Sequence, residues 1–123
     1  MANPNIVNMS AMYGKTAGAN LTTTSATAVL NNASGSGKCL KVNTLNVANY
    51  GASAANITIA WNNAASLGGT NFAIAGNVYV PAGSTLNIID KSSTYYLEEN
   101  TSLGATAGVA NTLIVTCSYE DIS

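Results

Sequence analysis

Residues 56–62 read Asn-Ile-Thr-Ile-Ala-Trp-Asn, so that Ile57, Ile59 and Trp61 alternate with Asn56, Thr58, Ala60 and Asn62. A period of two gathers its apolar side chains on one face only if the backbone is extended, because successive side chains of a strand point to opposite sides. The same period returns at the end of the chain. There Leu113, Val115, Cys117 and Tyr119 share one face, while Thr112, Ile114, Thr116, Ser118 and Glu120 share the other. One apolar face and one polar face mark an antiparallel sheet buried on one side, as in a sandwich.

Other segments follow suit. Segment 38–50 is long and its parity slips: Leu40 and Val42 fall on one face, Leu45 and Val47 on the other. That slip predicts a bulge near Asn43–Thr44, which would bend the strand as a sandwich corner requires. Further strands are predicted at about 8–16, 26–32, 70–80, 84–90, 94–98 and 101–107. They are separated by Ala33-Ser-Gly-Ser-Gly37, Gly51-Ala-Ser53, Ser66-Leu-Gly-Gly69, Pro81-Ala-Gly83 and Asn100. Gly76-Asn77 fits either a tight hairpin or a bulge. Eight or nine strands with regular turn signals predict an all-β fold: a single antiparallel β-sandwich over 1–123, jelly-roll-like, with an immunoglobulin-like sandwich as the alternative. Residues 14–28 carry Gly14, Gly18 and Thr22-Thr-Thr24 with few large apolar side chains. This segment reads either as a loose edge strand or as an arm ordered only against a neighbour, the arm reading making 1–24 a partly extended N-terminal arm.

Charge decides what such a domain is for. The 123 residues include no histidine, and all four of the basic residues are lysines; charged positions make up 7% of the chain. Acid/base catalysis and phosphate recognition lean on histidine, tuned carboxylates and arginine, so an enzyme is not expected. Lys15, Lys38, Lys41 and Lys91 form no basic run, which argues against nucleic acid as a partner. No stretch reaches the length of an apolar membrane helix, and the opening residues lack a signal peptide's basic and apolar regions. We therefore expect a soluble chain made in a cytoplasm, with no membrane partner and no cofactor. A net charge of -1 leaves little repulsion between copies, which favours association.

Individual candidates are few. Gly14-Lys-Thr16 has the ending of a phosphate-binding loop, but Asn8-Met9 stands where the upstream glycine belongs. Lys15 therefore reads as a surface residue on a strand. Cys39 and Cys117 are too few for a disulfide scaffold or a zinc site, and read as two buried, reduced thiols, with a disulfide between their strands as the alternative. All five acids lie in Asp90, Glu98-Glu99 and Glu120-Asp121. Adjacent acids on a strand face opposite ways, so no acid/base pair results. The alternatives are a Ca²⁺ site, if the last strand lies beside the 90–99 hairpin, or solvated acids pairing with Lys91. Trp61 reads as core or interface. Of Tyr95 and Tyr96, neighbours on a short strand, one should face in and the other out, the outward one serving as a contact anchor.

The opening Asn3-Pro-Asn-Ile-Val-Asn-Met-Ser10, continuing through Tyr13-Gly-Lys-Thr16 and Asn20-Leu-Thr-Thr-Thr24, carries a family resemblance. So do Val80-Pro-Ala-Gly-Ser-Thr-Leu86, Tyr96-Leu-Glu-Glu-Asn-Thr-Ser-Leu103, Ala110-Asn-Thr-Leu113 and the closing Ser118-Tyr-Glu-Asp-Ile-Ser123. In texture and order these stretches resemble small virion structural proteins of marine tailed phages, especially those of cyanobacteria and abundant ocean bacteria. None is a catalytic or ligand motif, and the resemblance carries over no functional residues. It implies a virion component present in many copies, a capsid decoration (cement) protein on the outer surface of the shell, made in the host cytoplasm. Its partner would be the major capsid protein, with self-association as a trimer or dimer on the particle. The interface expected from exposure is the N-terminal stretch Ile6, Val7, Met9, Met12 and Tyr13, together with Tyr50 and Tyr95. A neck, tail or fibre subunit and a host-glycan-binding module are the alternatives.

Overall fold

A computed structural model describes residues 4–123. Its nine strands are β1 (Met12–Leu21), β2 (Thr27–Asn32), β3 (Cys39–Asn49), β4 (Ala55–Asn62), β5 (Asn71–Val80), β6 (Thr85–Ile89), β7 (Tyr95–Leu97), β8 (Thr101–Ala107) and β9 (Leu113–Ile122). One 3-10 turn, Ala65–Leu67, interrupts them between β4 and β5. Two antiparallel sheets result, one ordered β1-β9-β3-β6 with short β7 added on β3, the other β2-β8-β4-β5.

That order is a nested hairpin. β4 pairs β5, β3 pairs β6, β2 pairs β8 and β1 pairs β9, all antiparallel, and the nested pairs alternate between the two sheets. Winding a long hairpin this way gives the jelly roll. An immunoglobulin-like order would place the first two strands in one sheet; here β1 and β2 lie in different sheets, so that alternative is ruled out.

The core lies between the sheets. Leu21, Val42, Leu45, Val47, Val115 and Cys117 from one sheet meet Leu30, Ile57, Ile59, Leu103 and Ala105 from the other. Each fully buried aliphatic side chain contributes about 1.5–3 kcal/mol relative to exposure. The parity slip in β3 is resolved as expected. The register against β9 jumps between Val42 and Thr44, and the extra residue, Asn43, lets Val42 and Leu45 both point inward. Gly76-Asn77 is likewise a bulge within one strand. The pairing of β4 with β5 shifts there, Asn77 adopts φ 53°, and its N–H donates to Thr58 Oγ1 at 2.9 Å.

The first strand corrects the expectation. It begins at Met12, not residue 8, and runs on to Leu21 through the segment that looked too weak to anchor. It pairs with β9 over its whole length without a break in register. Inward positions are filled by Ala17, Ala19 and Leu21, opposite Cys117, Val115 and Leu113. Small inward side chains suffice because Leu113, Val115 and Cys117 of β9, beside them in the sheet, supply the bulk. Of the edge-strand and arm readings, the edge strand holds for 12–21. Residues before it are tied down by Ser123, whose C=O accepts from the N–H groups of Ser10 (2.7 Å) and Ala11 (2.9 Å).

The 3-10 turn folds back over the outer face of the second sheet. Leu67 sits against Gly104, where an added Cβ would lie 2.8 Å from the Leu67 side chain. The Leu67 N–H donates to Ser102 Oγ and the Ser66 N–H to Asn31 Oδ1, which holds both residues at left-handed φ of 58° and 55°. If the inward row is what holds the sandwich, Leu45→Ala should destabilise it by about 2–5 kcal/mol in a urea titration, since it leaves a cavity at a fully buried site.

Candidate functional site

β1 and β2 are edge strands of different sheets, and at one end of the sandwich a cleft of about 310 Å³ opens beside them. Lys15 of β1, Tyr119 and Asp121 of β9, Leu40 of β3 and Leu30, Asn31 and Asn32 of β2 line it, with Ser36 and Lys38 from the following loop. Position 121 continues the inward row 113, 115, 117, 119, so an acid is delivered to the core side of the sheet.

Asp121 is 5% exposed. Its Oδ2 receives Lys15 Nζ at 2.9 Å and Lys38 Nζ at 3.3 Å. Lys38 is placed by Asn32, whose Nδ2 donates to the carbonyls of Lys38 and Leu97 while its Oδ1 accepts from Ser36 Oγ. Burial alone would raise the Asp121 pKa, but hydrogen bonds and charge from the two lysines outweigh it and leave the pKa below its usual 3.8. The same contact, through its hydrogen bond first and its charge second, raises Lys15 above 10.5. A carboxylate held by two ammonium groups is a poor base. The triad carries one net positive charge and suits holding a structure or a polar ligand rather than proton transfer.

The other acids are also engaged. Glu120 faces Lys41 at 3.9 Å, the Gly37 N–H donates to Glu99 Oε1 at 3.0 Å, and Asp90 Oδ1 accepts from the hydroxyls of Ser92 and Ser93. Thus Asp90 closes its own turn, and Asp121 is turned toward lysines instead of toward the 90–99 hairpin. Among the described residues no group of three or more His, Cys, Asp and Glu side chains is placed to hold a metal ion. Cys39 and Cys117 are buried free thiols; burial pushes Cys117 up to about 11 and, with the charge of Glu98, raises Cys39.

The expected interface residues fall in two places. Met12 and Tyr13 open β1, and the strand register sets Tyr13 beside Asp121, Asp121 beside Leu40 and Leu40 beside Leu97. Tyr95 and Tyr96 therefore stand at the same end of the sheet, two strands away from β9 on the far side of β3. Ile6 and Val7 enter this end through Ser10 and Ala11; both are exposed, Val7 at 92%, and Met9 is half-buried. Tyr50 is elsewhere. It follows β3 at the opposite end, its N–H on the Thr112 carbonyl and its hydroxyl donating to Asn20 Oδ1 at 3.3 Å.

Tyr95 shares its strand face with the buried Leu97 and Tyr96 takes the other face, as expected for neighbours on a strand, yet both are exposed, at 37% and 43%. Trp61 packs partly buried against the core with its ring 5.5 Å from that of Phe72, as a core-edge residue. The triad itself escaped the sequence reading. The available signal was an acid at an inward-facing parity, which demands a cation from elsewhere in the fold.

Neither known family models nor curated protein sequences match this chain.

The Asp121 contribution has a defined pH window. A carboxyl whose folded pKa is depressed stabilises the fold above its unfolded value and loses that contribution as pH falls through the folded one. Wild type should therefore exceed Asp121→Asn by about 1–3 kcal/mol near neutral pH, with the gap closing below the unfolded pKa of 3.8. Denaturant titrations of both proteins across that range provide the measurement.

Proposed function

We propose that this protein is a non-enzymatic virion component, a decoration protein that binds the outer surface of the major capsid protein lattice. The observation that carries this reading is the gathering of exposed apolar side chains, Ile6, Val7, Met12, Tyr13, Tyr95 and Tyr96, at one end of a rigid sandwich. Large apolar side chains kept in water mark a contact surface, and tyrosine and methionine are the types enriched in one. The family resemblance supplies the partner. Binding is a linkage effect: a domain with affinity for the assembled shell and none for free subunits stabilises the shell, and repetition multiplies modest contacts.

Deleting residues 2–9 tests the apolar end and leaves β1, which begins at Met12, intact. The shortened chain should fold with a thermal midpoint within a few degrees of the parent, yet fail to attach to purified capsids. Full retention of attachment would remove the N-terminal stretch from the interface. Copy number from quantitative mass spectrometry of particles separates decoration from the alternative of a neck, tail or fibre subunit. Hundreds of copies fit the former, a few or tens the latter.

A second reading, a host-glycan-binding module, draws on the cleft, where Tyr119 lies with Asn31, Asp121 and Lys38. An aromatic ring beside convergent amide and charged groups is the composition of a sugar site.

A further inference from the structure

Five of the described strands form lateral edges of the two sheets, and four of them are blunted. β2 shifts register between Ala28 and Leu30, β5 is broken by two irregularities against β4, and β6 and β7 are only five and three residues long. Such features keep edges from pairing with other chains. β1 has none of them. It is ten residues long, free of bulges, and lacks proline. Its single charged residue, Lys15, is on the inward row with its ammonium on Asp121.

The polarity of this edge follows from the ladder. Ala11 and Ser123 exchange both backbone hydrogen bonds at 2.9 Å, and the register continues unbroken through Leu21. In an antiparallel pair the bonded positions alternate, so the odd residues of β1 bond to β9. Met12, Gly14, Thr16, Gly18 and Asn20 consequently aim their N–H and C=O groups away from β9, along the open edge. All five are exposed. Gly14 and Gly18 lack positive φ, an added Cβ at Gly14 would meet nothing within 4 Å, and at Gly18 it would make ordinary contact. Nothing within one copy requires glycine at either position, although glycine weakens a strand.

We propose that β1 is a homodimer edge, pairing antiparallel with β1 of a second copy across a two-fold axis at Thr16. That register sets Thr16 opposite Thr16, Gly14 opposite Gly18 and Met12 opposite Asn20. Every outward N–H and C=O from 12 to 20 is then satisfied, in about ten new backbone hydrogen bonds. Threonine opposite threonine is a favourable cross-strand pair, and Gly14 and Gly18 face each other across the seam with no side chain to obstruct the approach of the two edges. Lys15 lies opposite Ala17, so the two lysines are not apposed. A second copy is the occupant because the edge is complementary to itself: the outward set is symmetric about residue 16, and the chain's net charge of -1 opposes association little. The proposal concerns the isolated protein and does not depend on attachment to a capsid.

The test is sedimentation equilibrium of the full chain, its Thr16→Lys and Thr16→Glu variants, and an equal mixture of the two variants. The parent should sediment at roughly twice its 12.4 kDa at micromolar concentrations. Each variant alone should be a monomer, because like charges face each other across the axis, and the mixture should return to the dimer mass. The side chain of residue 16 is on the outer face and exposed, so both variants should fold; circular dichroism checks this. Amide exchange gives an independent readout: the amides of Gly14, Thr16 and Gly18 should slow in the parent relative to the variants, while those of Lys15 and Ala17 stay protected in all. A monomeric parent up to about millimolar concentration, or a dimer indifferent to both substitutions, would overturn the proposal.

Discussion

The fold depends on the last strand being inserted between the first and the third. β9 pairs β1 on one side and β3 on the other, and β1 has no other sheet partner among the described residues. The outermost pair of the nested hairpin therefore joins residues near opposite termini, as Lys15 and Asp121 show, 106 positions apart. Closing so long a loop costs entropy before its contacts return any, which places this domain among slow-folding, non-local topologies. One strand thereby both completes the core, through Leu113, Val115 and Cys117, and carries the buried acid of the cleft.

Charge is scarce and spatially concentrated. The ion pairs Lys15–Asp121, Lys38–Asp121 and Lys41–Glu120 all lie toward the end where β1 begins and β9 finishes. Beyond them the outer face of that sheet presents Thr16, Gly18 and Asn20 on β1, Ile114, Thr116 and Ser118 on β9, and Thr44, Asn46 and Ala48 on β3. A neutral, hydrogen-bonding face has little long-range field with which to steer a partner. Its recognition must come from shape and from the apolar side chains at its rim. The Asp121 triad adds rigidity at that rim, since a buried carboxylate tolerates no loss of its lysines without a desolvation penalty.

Most of the strand plan was legible in the sequence because period two with large aliphatics is a strong signal. The parity slip at Asn43 even located a bulge, since only an extra residue returns both Val42 and Leu45 to the core. The failures share a cause: they depend on neighbours that local pattern does not name. β1 is held by alanines whose burial is conferred by β9, so its sequence looks weak. Tyr95 and Tyr96 both reach solvent although they lie on opposite faces of β7, which alternation along the strand does not foretell. The Asp121 triad joins residues from β1, β9 and a loop, and only the inward parity of position 121 hinted at it. Strand order was a different matter, since spacing alone allowed both a jelly roll and an immunoglobulin-like arrangement.

The proposed edge and the proposed attachment constrain each other. In an antiparallel β1–β1 pair the two-fold axis stands perpendicular to the sheet, so the outer faces of both copies lie on the same side and form one surface. Met12 of each copy is opposite Asn20 of the other, which sends the two apolar ends in opposite directions along the seam. They would be separated by roughly 26 Å along the strands, from eight residues at about 3.3 Å each. A dimer could not then stand on a lattice by one apolar end and still use both. It would have to lie flat, with the neutral outer face toward the capsid and an apolar contact at each extremity. Engaging both ends at once converts the second contact into an intramolecular event, and weak individual patches become sufficient. That geometry suits a surface of low charge, because covering a neutral face desolvates no ion, and its hydroxyl and amide groups can pair with the lattice.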